Sequence, residues 1–162
     1  MKLIVAVSEN WGIGNENNLL FSIPQDMKFF RETTKESVVI MGRNTLESFP
    51  GKKPLKNRVN IVLTKNPDYI AEGAVICHST NEAIEESKKY DKEVFVIGGE
   101  SIYREFLPFC DTAYVTKVHA DAKADTFFPN LDERSEWEIS EKSETYEDNG
   151  YKFEFCTYKK IV

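Results

Sequence analysis

Four apolar runs with no charge inside them constrain this fold more than any other feature: Leu3-Ile4-Val5-Ala6-Val7, Val38-Val39-Ile40-Met41, Ile61-Val62-Leu63 and Val94-Phe95-Val96-Ile97. A strand with one wet face alternates apolar and polar residues, whereas a strand covered on both faces is apolar throughout. The runs therefore predict central strands, the third beginning at Arg58, in a sheet layered between helices. Ala74-Val75-Ile76-Cys77 and Ala113-Tyr114-Val115-Thr116-Lys117-Val118 add two more strands. A capped helix is expected over 80–89, with Ser79 or Thr80 at its start and Ala83, Ile84 and Ser87 at helical spacing. Residues 137–140 and 151–158 alternate in strand fashion around Asp148-Asn149-Gly150, which predicts a closing hairpin. Strands and helices alternate up to Val118 and only strands follow, so the fold class is α/β, a sandwich with a largely parallel sheet and an antiparallel edge. With 162 residues, no repeat and no Pro/Gly-rich linker, one domain over 1–162 is expected.

Composition narrows the function classes. Hydrophobic residues make up 41% and charged residues 30%, which argues against both a membrane span and a disordered chain. A net charge of −6 and a pI near 5.1 argue against a nucleic-acid surface, which needs a basic footprint. Cys77, Cys110 and Cys156 are odd in number and lack metal-motif spacing, so a reduced, cytoplasmic chain without a metal site is expected. The two histidines, His78 and His119, read as ordinary strand-end residues. The run at 3–7 meets Glu9 at once and is too short for a signal-peptide core. No long apolar patch asks for a partner chain, so a monomer is expected.

The stretch Phe21-Ser22-Ile23-Pro24-Gln25-Asp26-Met27-Lys28-Phe29-Phe30 carries the chemistry. Pro24 marks a helix's first turn, with Ser22 or Ile23 as its entry. Ile23, Met27 and Phe30 make an inward stripe, and Asp26 lies on its edge. An acid in a first turn often does no more than complement the helix dipole in water. A carboxylate walled by Phe21, Met27 and Phe30 is instead desolvated and its pKa raised, as suits a group that handles a proton or grips a cationic heterocycle.

Other stretches suggest a ligand at one sheet edge. The segment from Ser8 to Asn18 reads as a long loop without internal structure, a lid or binding loop whose Trp11 and Ile13 would otherwise be needlessly exposed. Gly42-Arg43-Asn44-Thr45 joins a buried strand to a helix start and could hold a phosphate. Thr64-Lys65 puts a hydroxyl and a cation at another strand end. Gly98-Gly99 precedes the helix that begins at Glu100-Ser101 and permits close approach of a ligand. In open α/β sheets that edge is where ligands bind.

Seven of these segments together, Ile13-Gly14, Ile23-Pro24-x-Asp26, 39–45, Arg58-x-Asn60, 97–103, Thr116 and Asp125-Thr126-x-Phe128-Pro129, resemble dihydrofolate reductase in order and spacing over nearly the whole chain. The resemblance implies a three-layer sandwich of an eight-stranded sheet and four flanking helices, and NADPH-dependent reduction of 7,8-dihydrofolate to tetrahydrofolate. It implies small-molecule ligands, the substrate and diaminopyrimidine antifolate inhibitors, and no nucleic acid or membrane. Asp26 would hold the pterin N3 and 2-amino group, and Thr116 would hydrogen-bond that carboxylate or the amino group; Phe21 joins them as a catalytic position. Ile4, Val5, Met27, Phe30, Phe49, Leu55 and Ile97 would bind the substrate's rings, and Arg58 would pair with the α-carboxylate of its glutamate tail.

On the cofactor side the resemblance implies nicotinamide contacts from Ala6, Ile13, Gly14, Asn18 and Leu19, with 9–20 as the flexible lid. Gly42, Arg43, Asn44 and Thr45, together with Ile97, Gly98, Gly99, Glu100, Ser101, Ile102 and Tyr103, would receive the pyrophosphate. Arg43, Thr64 and Lys65, with Leu63 beside them, would take the adenosine ribose and its 2′-phosphate, and Thr126 completes the set. A cis bond is implied at Gly98-Gly99.

Three features depart from the family pattern. Leu20-Phe21 replaces the usual Pro-Trp, removing an indole N–H that would partner a water beside the carboxylate. Ala124 stands where bacterial members often carry Gly, and Pro50-Gly51-Lys52 adds about one residue before Leu55. Rival readings are a reductase of the same fold acting on a ribosylated pyrimidine, against which Asp26 and Arg58 speak, and a non-catalytic nucleotide-binding module.

Overall fold

The computed structural model describes residues 1–161. In chain order its elements are β1 (Lys2–Val7), β2 (Gly12–Asn15), β3 (Asn18–Leu19), α1 (Pro24–Thr34), β4 (Val38–Gly42), α2 (Arg43–Glu47), β5 (Val59–Leu63), β6 (Ala74–Cys77) and α3 (Thr80–Ser87), followed by β7 (Val94–Gly98), α4 (Glu100–Phe106), β8 (Thr112–Val118), β9 (Thr126–Phe127), β10 (Trp137–Lys142), β11 (Tyr146–Asp148) and β12 (Tyr151–Lys160).

The main sheet runs β10-β12-β8-β1-β7-β4-β5-β6. From β8 to β6 every neighbouring pair is parallel. β12 runs antiparallel to both β8 and β10. Successive side chains on a strand point to opposite faces, and here both faces are covered. Leu3, Val5, Val38, Ile40, Ile61 and Val96 join one core cluster with Ile102 and Phe106 of α4 and Ala83 of α3. Ile4, Val39, Met41, Val62 and Phe95 join the other with Leu46 of α2 and, half-buried, Phe29 and Phe30 of α1. Each run is apolar throughout because each neighbour in sequence serves a different layer, and each such side chain contributes about 1.5–3 kcal/mol on burial.

The structure amends the expected hairpin and sheet. The two-residue turn Asn149-Gly150, with φ of 50° and 83°, suits the primed turns of tight hairpins. It joins β12 to β11, not directly to β10, and β11 adds a ninth strand to the expected eight. β10 pairs with the far half of β12 across a register shift between Ile139 and Glu141.

Residues 8–18 are not a structureless loop. β2 pairs with β3 and with β9 in a separate three-stranded sheet. Isolated short strands are marginal, so side chains and turns reinforce this one. Glu16 N–H donates to Asp125 Oδ2 at 2.9 Å, and the backbone N–H groups of Asp125 and Phe128 donate to Gly14 and Trp11 carbonyls, both at 2.9 Å. Trp11 is buried at a φ of 63°, stacked on Phe128 at 6.2 Å. Among the described residues no helix is long and apolar enough to cross a membrane.

Candidate active site

The carboxyl ends of the parallel strands bring Gly42, Thr64, Cys77 and Gly98 to one edge, where α1 crosses with Asp26. The entry to α1 is set from far away in sequence. Ile23 at the N-cap offers no capping side chain, and Asp148 Oδ2 instead accepts from the Gln25 N–H at 2.9 Å. Asn149 Nδ2 donates to the Ser22 carbonyl at 2.7 Å. The hairpin turn thus clamps the first turn of the helix that carries the acid.

The inward stripe of α1 is Asp26, Phe29, Phe30 and Thr34, at three-, four- and eight-residue spacing. Met27 is 51% exposed and does not belong to it, because one position past Asp26 the helix has rotated by about 100°. Asp26 leads the stripe where an edge position was expected. Thr116 Oγ1 donates to Asp26 Oδ1 at 2.6 Å, and Thr116 is itself buried, opposite Ala6 on β1 and Phe155 on β12. Burial raises the Asp26 carboxyl above its ordinary 3.8, and the Thr116 hydroxyl pulls partly the other way. The Tyr103 hydroxyl donates to the Ile4 carbonyl at 2.7 Å, and its pKa is raised, by burial first and by the Asp26 charge second.

Of the predicted apolar wall, Ile4, Phe30, Phe49, Leu55 and Ile97 fall in one cluster, whereas Val5 packs in the other. Phe21 is half-buried in a third cluster with Ile23, Val118 and Phe153, its ring edge-on to Tyr151 at 5.1 Å. It has no polar atom to offer Asp26. Arg58 is held by three bonds: Nε to Thr34 Oγ1 at 3.0 Å, Nη1 to the Lys56 carbonyl at 2.9 Å and Nη2 to the Arg31 carbonyl at 3.4 Å. A guanidinium has five N–H donors, so one on each terminal nitrogen remains for a carboxylate. Burial, and secondarily Arg31, lowers the Arg58 pKa.

The residues predicted for the cofactor fall into three groups. Ala6, Ile13, Gly14, Asn18 and Leu19 lie at the end of β1 or in the lid sheet, with Leu19 81% exposed. Gly14 has no room for a side chain, since an added Cβ would meet Thr126 Oγ1 at 2.9 Å. The starts of α2 and α4 are neighbours: a Cβ on Gly42 would meet Ile102 Cγ1 at 3.0 Å, and one on Gly99 would meet Thr45 Oγ1 at 3.6 Å. The Gly98-Gly99 bond is cis. Asn44 and Ser101 are exposed, and Ile102 and Tyr103 are buried beneath them. At the third place Leu63 ends β5, Thr64 accepts from the Asn66 N–H at 3.2 Å and Lys65 is exposed. Arg43 approaches Glu47 at 3.9 Å and lies 5.6 Å over Tyr69.

Three features of the site were not foreseen. Phe29, stacked on Phe155 at 4.6 Å, was legible from its spacing to Asp26. The Asp148 and Asn149 contacts to α1 leave no local signal. Neither does the carboxylate of Glu100, which accepts from the Phe127 N–H at 2.6 Å and so points toward the lid sheet.

Comparison with known proteins shows what the chain as a whole is similar to. A family model described as dihydrofolate reductase matches residues 1–160. Dihydrofolate reductase of Bacillus subtilis (strain 168) is 36% identical over 99% of this chain and 94% of its own length. That of Staphylococcus haemolyticus is 36% identical over 99% and 96%. The solved dihydrofolate reductase from Enterococcus faecalis, complexed with NADP(H) and RAB-propyl, superposes with a TM-score of 0.90 at 38% identity, covering 99% of this chain and 96% of that one.

Proposed function

This chain belongs to the dihydrofolate reductase family, reducing 7,8-dihydrofolate to 5,6,7,8-tetrahydrofolate with NADPH, and from that premise we propose that the cleft at Asp26 holds and polarises the pterin. The carrying observation is the half-buried Thr116–Asp26 hydrogen bond at 2.6 Å. Thr116 keeps one carboxylate oxygen occupied and fixes the rotamer, which leaves Oδ2 and the second lone pair of Oδ1 for the pterin N3 and 2-amino hydrogens. Ile4, Phe30, Phe49, Leu55 and Ile97 exclude water and so strengthen that interaction. Because burial favours the protonated carboxyl, a positive charge developing on the ring is what best restores the ionised form, which is differential stabilisation of the protonated pterin. Among the described residues no side chain is assigned as a donor to N5, and a water entering beside the lid would carry that proton. The remaining fork of Arg58 takes the α-carboxylate of the glutamate tail.

The residues present fit NADPH. A Cβ at Gly14 or Gly42 would collide with Thr126 or Ile102, so these glycines set the close packing of the lid and the two helix starts, and Arg43, Thr45, Thr64 and Lys65 would supply the cations and hydroxyls that a 2′-phosphorylated dinucleotide needs. Bound there, the cofactor supplies the hydride. Gly42–Thr45 and the backbone of 98–103 would hold its pyrophosphate, Leu63 would flank the adenosine, and the lid residues Ile13, Gly14, Asn18 and Leu19, with Ala6 and Thr126, would hold the nicotinamide end. Met27 serves at the mouth, Val5 supports Ile4 from behind, and Phe21 closes the cleft's apolar side.

The same reading makes 1–162 one domain, acting as a cytoplasmic monomer on small molecules, with antifolates binding through Asp26. The acidic charge of −6 and the three free, buried cysteines support it. Loss of nicotinamide absorbance on mixing the protein with NADPH and dihydrofolate tests the assignment. No decay, or decay only with NADH or with a ribosylated pyrimidine, would overturn it.

A further inference from the structure

The lid sheet is tied to the two helix-start turns at two points. At its tip Asn17 Nδ2 donates to the Asn44 carbonyl of α2 at 3.1 Å, an exposed contact. The second tie is charged and half-buried: Glu100, the first residue of α4, accepts from the Phe127 N–H through Oε2 at 2.6 Å. Phe127 is the register partner of Gly12, yet both backbone groups of Gly12 are engaged with Ser8, its N–H with Oγ at 2.9 Å and its carbonyl with the Ser8 N–H at 3.0 Å. The Phe127 N–H therefore finds its acceptor outside the lid, on α4. Asp125 and Phe128, on either side, bond to Gly14 and Trp11, so Glu100 grips the middle of the strand to which β2 is fastened.

A glutamate in the first turn of α4 complements the helix dipole, and here its carboxylate also reaches out of the helix to the lid sheet. A free carboxylate at the start of α4 would repel the cofactor's pyrophosphate. Anchored on a backbone N–H of β9, the same charge is directed into a charge-assisted hydrogen bond, shorter and stronger than a neutral one. We infer that Glu100 is a positioning residue that couples the turn at Gly98-Gly99 to the lid, so that filling the cofactor site orders β2 and brings Ile13 and Gly14 over the nicotinamide. This rests on the cofactor placement proposed above. Coupling of this kind needs a contact that differs between the open and closed lid, and the Glu100–Phe127 bond has to be that contact.

The test compares the parent protein with Glu100→Ala, Glu100→Gln and Glu100→Asp by backbone hydrogen exchange with and without NADPH, alongside single-turnover hydride transfer. In the parent, NADPH slows exchange at the 98–101 turn and across 12–18. In Glu100→Ala the turn stays protected, while NADPH-induced lid protection and hydride transfer each fall about tenfold and the NADPH dissociation constant moves by less than about threefold. Glu100→Gln, which keeps an acceptor of the same reach, recovers most of both. Glu100→Asp keeps the charge without the reach, so it loses lid protection and hydride transfer as Ala does and also weakens NADPH binding through its unanchored carboxylate, and the test stands even if the Ala variant does not fold. A lid protected as in the parent when residue 100 is Ala or Asp would overturn the inference, as would a Gln variant no better than Asp. Absence of NADPH protection at the turn in the parent would overturn the cofactor placement itself, and the inference with it.

Discussion

Replacing Asp26 by Asn should push activity and stability in opposite directions. Asn keeps an oxygen that can accept from Thr116, so the buried hydroxyl stays satisfied and only the charge is lost. For the chemistry, removing the group proposed to polarise the pterin should cost about 2–4 kcal/mol of barrier, or roughly 30- to 1000-fold in hydride transfer. For the fold the sign is reversed. The Asp26 carboxyl is raised above 3.8 by burial, so between 3.8 and its folded value the native state holds more protons than the unfolded chain. The stability this gives is complete below 3.8 and is lost as pH rises through the raised value. Asn, which does not titrate, loses nothing over that window. Relative to the parent it gains stability from acid to neutral pH, and at neutral pH it is at least as stable, as expected where a functional site buries a charge. Single-turnover absorbance at the nicotinamide band reads the first effect, and urea unfolding at acid and neutral pH reads the second. Parental hydride transfer, or a stability difference that does not change with pH, would refute the reasoning.

Three further outcomes follow from the same geometry. Arg58→Leu should weaken dihydrofolate binding by about 2–4 kcal/mol while leaving a pterin without the glutamate tail nearly unaffected; binding titrations with both ligands check it, and equal losses would remove Arg58 from the tail site. Lys65→Ala should narrow the preference for NADPH over NADH about three- to tenfold by weakening an exposed charge contact, and an unchanged ratio of kcat/KM values would exclude Lys65 from the 2′-phosphate. Gly12→Ala would set a Cβ 2.6 Å from Ala124 Cβ and 2.9 Å from Ser8 Oγ, an overpacking expected to cost about 1–3 kcal/mol. The Ala124→Gly change should recover part of that loss in a double-mutant cycle read by urea unfolding; strict additivity would show that Ala124 is not the obstacle.

What could be read from the sequence was whatever the physics makes local. Buried parallel strands announce themselves because each apolar neighbour serves one of two covered faces, as Leu3 and Ile4 do. Pro24 announces the helix and Gly42 and Gly98-Gly99 the turns. What stayed hidden depends on partners more than a hundred residues apart. The lid was expected to be irregular because Gly12, Gly14 and Asn15 have poor strand propensity; pairing with Thr126 and Phe127 overrides that preference. Met27 was placed on the wrong side of α1 because it stands four after Ile23 and three before Phe30, although the spacing of Phe29 to Asp26 was the better guide.

The position of Asp26 shows why such long-range contacts decide the chemistry. Its helix begins without a local cap, and Asp148 and Asn149 from the closing hairpin hold the first turn. Its carboxylate is oriented by Thr116, whose strand is flanked by β1 and by β12, the strand that leaves that same hairpin turn. One turn of chain therefore fixes the helix that presents the acid, and the strand leaving it supports the hydroxyl that orients it. A carboxylate whose helix and hydrogen-bond partner are both braced by the far end of the chain would need little reorganisation when the ring charge develops. The turn 148–150 contributes to the site by bracing it, and Phe21, packed against Tyr151 beside that turn, belongs to the same brace.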